Sequence, residues 1–231
     1  MKYDVLLFDA DDTLFDFKKT MRLSLQESME FLGLTFRPEY CTIYETLNNS
    51  LWKQLELGKL TKEELKKRRM AEFFEMIGVQ ADPVKMQEKY QQCLDNGGHL
   101  IPGAKETLDA LSGQADCYLV TNGFAQTQRG RLKKAGIDGY FKALFISEEI
   151  GYQKPRKEFF DAVFSVLGGE ARERTLIIGD SLTSDILGGN NAGIATCWYN
   201  PHHKENTQDV SVTMEIRSLS ELPEKLFSER W

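Results

Sequence analysis

Hydrophobic residues run without interruption over Val5, Leu6, Leu7 and Phe8, and the run stops at the carboxylates Asp9, Asp11 and Asp12. A continuous apolar run of this kind predicts a strand buried on both faces. Beyond Leu14 the period lengthens to that of a helix. Met21, Leu25, Met29 and Leu32 fall on one helical face, with Gly33 as its stop. A second helix over residues 38–57 carries Tyr40, Ile43, Tyr44, Leu47, Leu51 and Leu55, followed by Gly58. Thr61 and Glu64 form a capping box for a third, which carries Leu65, Phe73, Met76 and Ile77 and stops at Gly78. Asp82 and Pro83 open a fourth that runs to Leu94, and Asn96, Gly97 and Gly98 break it. Residues 17–96 therefore read as four helices with no strand.

After Pro102 and Gly103 short apolar runs alternate with helical stretches. Strands are predicted over residues 117–120, 143–146, 176–178, 195–199 and 212–216. Between them lie helices containing Leu108 and Leu111, then running up to Ala135, then over 157–167 and over 185–192. Ser218 and Glu221 cap a last helix. Strand and helix alternating at this spacing predict a parallel sheet with helices on both faces. The core is thus expected from residues 1–16 and 97–231, with 17–96 inserted as a cap above the carboxyl edge of the sheet, where ligands of open parallel sheets bind.

Composition adds limits rather than chemistry. The chain has 231 residues, which suits a core domain with a smaller insert. The formal net charge of −6 argues against a polymeric nucleic acid or an anionic membrane as partner. The four cysteines are widely separated and form no zinc-ligand pattern; Cys117 and Cys197 read as small core residues. The N-terminal residues lead straight into the first strand and no apolar run has transmembrane length, so a reducing cytoplasm is expected. The run from Lys62 to Arg69 reads as a solvated helix face, and Phe15 as packing.

The candidate chemistry gathers at strand ends. Asp9 and Asp11 follow the first strand, Thr121 closes the second and Lys154 lies a short loop beyond the third. Asp180 closes the fourth, with Asp185 five residues on. Each is common in a bland role, since Asp caps helices, Thr ends strands and Lys sits in loops. Their conjunction along one edge of a parallel sheet favours a single site. Phosphoryl transfer uses every member. Asp9 is suited to attack phosphorus and Asp11 to act as acid and then base, with a pKa raised by neighbouring carboxylates. Asp9 and Asp180 are suited to share magnesium. Lys154, Thr121 and the N–H groups of Asn122 and Gly123 are suited to hold the phosphate oxygens.

Four motifs, Asp9-Ala10-Asp11-Asp12-Thr13, Thr121-Asn122-Gly123, Lys154-Pro155 and Gly179-Asp180-Ser181-Leu182-Thr183-Ser184-Asp185, resemble those of the haloacid-dehalogenase superfamily phosphatases with a helical cap. The resemblance implies a Rossmann-like α/β core, Asp9 as nucleophile and Asp11 as acid/base. It also implies Mg2+ (with Mn2+ as the alternative) held by Asp9, the Asp11 carbonyl and Asp180. Thr121 and Lys154 then bind phosphate, and Asp185 orients Lys154. The family commonly has Gly where this chain has Asp12, which is read as turn structure. The wider segments around Phe15, Phe124, residues 146–149, 184–189 and 195–200 resemble bacterial pyrimidine 5′-nucleotidases. That resemblance implies a nucleoside 5′-monophosphate as substrate; the chain is expected as a monomer or homodimer. The alternatives on the same core are a sugar-phosphate phosphatase or a phosphosugar mutase. A dehalogenase is disfavoured by Asp11, and a silent binding module by the intact set of reactive residues.

Overall fold

The structure is a computed structural model that describes residues 2–228. The chain divides into two compact units, one from residues 2–17 and 98–228 and the other Lys18–Gly97. Among the described residues no helix is long and apolar enough to cross a membrane.

The first unit is a six-stranded, wholly parallel sheet: β1 Val5–Phe8, β2 Asp116–Thr121, β3 Phe141–Ile146, β4 Thr175–Gly179, β5 Ala195–Tyr199 and β6 Met214–Ile216. The spatial order is β3-β2-β1-β4-β5-β6, so β1 is central and paired on both sides. That explains its unbroken apolar run. Alternate residues point to opposite faces, and both faces are covered. Leu6 and Phe8 join a layer with Leu108, Leu132, Leu222 and Leu226. Val5 and Leu7 join another with Phe159, Phe160, Val163 and Phe164. The first layer is supplied by α5 Ala104–Leu111, α6 Ala125–Ala135 and α10 Glu221–Ser228, the second by α8 Lys157–Leu167 and α9 Leu187–Ala192. Cys117 and Cys197 are buried core residues, as the sequence suggests.

The differences from the sequence reading are local. A one-turn helix, α7 Ser147–Ile150, follows β3 directly. β6 is shorter than the predicted run. The expected helix from Asp185 starts instead as a π-turn, Leu182–Ile186. At α10 only half of the capping box forms. Glu221 accepts from the backbone of Arg217 and Ser218, while the Ser218 hydroxyl pairs with Ser220.

Close packing of α9 on α8 depends on Gly188. A Cβ there would lie 2.7 Å and 2.8 Å from the Phe160 ring and 3.3 Å from the Pro155 Cα. Phe160 is fully buried and has nowhere to retreat. Gly188→Ala is therefore expected to destabilise by about 1–3 kcal/mol, overpacking outweighing the better helix propensity of alanine. A urea midpoint equal to or above that of the wild type would contradict this.

The second unit holds the bundle α1 Phe17–Phe31, α2 Glu39–Glu56, α3 Lys62–Ile77 and α4 Pro83–Asp95. Both halves of the capping box of α3 form, and Asp82 caps α4. Tyr44 of α2 packs edge-on against Phe73 of α3 and near Tyr90 of α4. One expectation fails here. Arg69 is buried rather than solvated, donating to the Gln87 side chain at 3.0 and 3.1 Å and lying 4.9 Å from the Tyr90 ring centroid. It stands one turn from Leu65 and one from Phe73, on the apolar face, so its position outweighs its charge.

Candidate active site

The sheet order reverses direction at β1, with β2 and β3 on one side and β4 to β6 on the other. At such a switch point a crevice opens beyond the carboxyl ends. Asp9 immediately follows β1, Thr121 ends β2 and Asp180 follows β4. The amide of Asp9 still pairs with the Ile178 carbonyl at 2.9 Å, so its backbone is held by the sheet.

The motif after β1 then turns sharply. The N–H groups of Leu14 and Phe15 both donate to the Ala10 carbonyl, and that of Asp12 to the Phe15 carbonyl. Asp12 takes a left-handed conformation, with φ of 60°. Glycine adopts this freely and Asp tolerates it better than most residues. Asp12 is thus turn structure, as its sequence position suggests. Thr13 is buried and its hydroxyl accepts from the Asp180 amide at 3.2 Å, tying the first motif to the fourth.

Lys154 is the centre of the arrangement. Its ammonium is buried and donates to Asp9 Oδ1 at 2.7 Å, Asp185 Oδ1 at 2.6 Å and the Val120 carbonyl at 2.8 Å. An ammonium has three protons, and all three are used. Asn122 fixes the loop that presents it, accepting from the Lys154 amide and donating to its carbonyl, both at 2.9 Å. The Gly123 amide donates to the Thr121 hydroxyl at 3.0 Å. Asp185 lies in the π-turn and is set by the residue that precedes the turn, Ser181, whose amide donates to Asp185 Oδ2 at 3.2 Å. The side chain lies over Gly179, where a Cβ would come within 2.3 Å of the Asp185 carboxyl.

Two participants do not emerge from the sequence reading. Gln128 and Arg131 of α6 are both buried and both donate to the Asp11 carboxylate, Gln128 to Oδ2 at 2.8 Å and Arg131 to Oδ1. The signal for them is their spacing. They lie three residues apart beside Leu132, which makes them polar groups on the helix face turned to the core.

Burial and the nearby Asp185 carboxylate push the Asp9 pKa up to about 7, against the opposing pull of Lys154. Burial, then Asp9 and Asp185, raise Asp180 well above the usual carboxylate range. Burial alone would lower the pKa of Lys154, but Asp185 and Asp9 outweigh it and raise it. One ammonium therefore faces more negative charge than it offsets. Carboxylate oxygens of Asp9, Asp180 and Asp185 lie within 4.8 Å of one another. A cluster of oxygen donors, two of its three carboxylates buried, with excess negative charge fits a small hard dication.

Comparison with known proteins points to one family. The profile of the haloacid dehalogenase-like hydrolases matches residues 3–193. The chain is 41% identical to the pyrimidine 5′-nucleotidase PynA of Streptococcus pneumoniae, over 96% of this chain and 94% of PynA. It is 38% identical to the pyrimidine 5′-nucleotidase YjjG of Escherichia coli, over 98% and 99%. The crystal structure of the HAD-hydrolase YfnB of Bacillus subtilis, bound to magnesium, superposes with a TM-score of 0.91 at 41% identity, covering 98% of this chain and 100% of that one. Carboxylates at the switch point of a parallel sheet, a lysine buried among them, a family profile over most of the chain and these full-length relatives lead to one conclusion: the chain is a hydrolase and belongs to the haloacid dehalogenase-like hydrolase family.

Proposed function

We propose that the protein is a magnesium-dependent phosphomonoesterase that hydrolyses nucleoside 5′-monophosphates, with a preference for pyrimidines, through an aspartyl-phosphate on Asp9. The observation that carries this reading is the Lys154 clamp, which aims a buried carboxylate out of the central strand beside two further carboxylates. The names of PynA and YjjG support the choice of substrate.

In the proposed mechanism the Asp9 carboxylate attacks phosphorus, and Asp11 supplies a proton to the leaving oxygen. Asp11 then takes a proton from the water that attacks the aspartyl-phosphate. Lys154 contributes a fixed positive charge near the equatorial oxygens, and Thr121 with the Asn122 and Gly123 amides is assigned to bind them. The Gly123 amide must leave the Thr121 hydroxyl to do so. Asp9, the Asp11 carbonyl and Asp180 are assigned as metal ligands, while Asp185 orients Lys154. When bound, the cation supplies offsetting charge between the carboxylates and the phosphate. Residues 17–96 are assigned as the cap that selects the leaving group.

The test is a kinetic panel of UMP, dUMP, dTMP, purine nucleotides and sugar phosphates with magnesium and with a chelator. The pyrimidine nucleotides are expected to exceed the others in kcat/KM by about 10-fold or more, the scale a shaped pocket supplies. The chelator is expected to abolish turnover. Rapid hydrolysis of sugar phosphates beside inert pyrimidine nucleotides would replace this reading with the sugar-phosphatase one.

A further inference from the structure

Asp11 stands on two buried donors. Its carboxylate is one-third exposed, whereas Arg131 beneath it is 1% exposed. The Arg131 guanidinium also lies 4.2 Å from the ring centroid of Phe15, itself fully buried in the same turn as Asp11. A planar guanidinium stacked on a ring and paired with a carboxylate has little rotational freedom. Gln128 reaches Asp11 across Gly123. A Cβ at Gly123 would stand 2.2 Å from Gln128 Nε2. The absence of a side chain at that position in the phosphate-binding motif is therefore what lets the amide pass. Each carboxylate oxygen receives one donor from below, and each keeps a second lone pair for the exposed side.

We propose that Gln128 and Arg131 are positioning residues that hold the Asp11 carboxylate in the orientation needed for proton transfer. The proposal rests on the reading of the protein as a phosphomonoesterase. In the first step the Asp9 Oδ–P bond forms, the bond from phosphorus to the leaving oxygen breaks, and a proton passes from Asp11 to that oxygen. In the second, the bond from water oxygen to phosphorus forms, the Asp9–phosphorus bond breaks, and the water proton passes to Asp11. Both transfers use the same carboxylate, and both depend on its being held still.

The test compares UMP with p-nitrophenyl phosphate in the presence of magnesium, using Gln128→Met, Arg131→Met and Arg131→Lys. A nucleoside leaves as an alkoxide and needs the proton; p-nitrophenolate does not. With UMP, Gln128→Met and Arg131→Met are expected to lose about 10- to 100-fold in kcat, part of the usual acid–base contribution, with KM changed by less than about threefold. With p-nitrophenyl phosphate the first transfer survives while hydrolysis of the aspartyl-phosphate slows. The expected trace is a burst of about one equivalent of p-nitrophenolate followed by slow turnover. Arg131→Lys is expected to recover part of the loss by restoring a cation beneath Asp11. If Arg131→Met does not fold, Gln128→Met decides.

Wild-type kinetics in Gln128→Met would overturn the proposal. So would an equal slowing of both substrates with no burst, the pattern of general structural damage. Asp11→Asn separates the two levels of the argument. If it shows the burst while Gln128→Met does not, only the positioning roles fall. If the wild type hydrolyses neither substrate, the phosphomonoesterase reading falls and this proposal with it.

Discussion

Asp9→Asn is expected to remove phosphomonoesterase activity by about 10^4-fold or more in kcat, the scale of losing a nucleophile outright. Acid quenching during turnover should trap phosphate on the wild-type chain and none on the variant. The protein should nevertheless fold. Asparagine is near-isosteric, and the wild-type carboxylate is held above its ordinary pKa by burial and by Asp185, so its charge is not what stabilises the core. Lys154 keeps Asp185 and the Val120 carbonyl as partners. Residual activity within tenfold of the wild type, in a well-folded variant, would remove Asp9 from the role of nucleophile.

The opposite pattern is expected for Lys154→Met, where the dominant effect is on stability. Removing the ammonium leaves Asp9 and Asp185 buried without their common cation. Breaking a buried ion pair from one side costs about 3–5 kcal/mol. Adding Asp185→Asn to Lys154→Met removes one of the stranded charges and should recover about 1–3 kcal/mol, so the two substitutions must be non-additive. Urea denaturation of the four proteins of the cycle measures this directly. A single-variant cost below about 1 kcal/mol, or strict additivity, would mean that Lys154 is not the electrostatic centre of the fold.

These two residues also show how far the sequence carries. Strands ended by reactive side chains are legible because a buried strand must be apolar and its end must not be. The apolar runs locate β1, β2, β4 and β5, and the residues just past them locate Asp9, Thr121 and Asp180. Helix starts are legible where a side chain has to satisfy free amides, as Thr61, Glu64 and Asp82 do. Strand order is not legible, since nothing local in β1 says which strands will flank it. Of the acceptors around Lys154, Asp185 is implied by the family resemblance, while Asp9 and the Val120 carbonyl are hidden for a similar reason. A lysine before a proline looks solvated until three distant acceptors close around it. Arg69, Gln128 and Arg131 are missed because charge in a sequence argues for water, whereas each of these is placed by a helical period that turns it inward. The π-turn before α9 escapes because its distortion comes from seating Asp185 over Gly179, a contact between strand and turn rather than a propensity.

The central place of β1 has a consequence for how the chain reaches its native state. β1 is made first, but its two neighbours are β2 and β4, and the whole of Lys18–Gly97 intervenes before either exists. The helical unit is rich in local pairings and can form early, whereas the sheet waits for distant ones. A preformed bundle also shortens the effective loop that must close to bring β1 onto β2. Until then the stretch Val5–Phe8 is a bare apolar segment with two open hydrogen-bonding edges, the kind most prone to pair with another copy of itself. Asp4 just before it and the carboxylates just after it are the nearest charges on the chain. Besides any part in chemistry, they serve as gatekeepers while the strand has no partner.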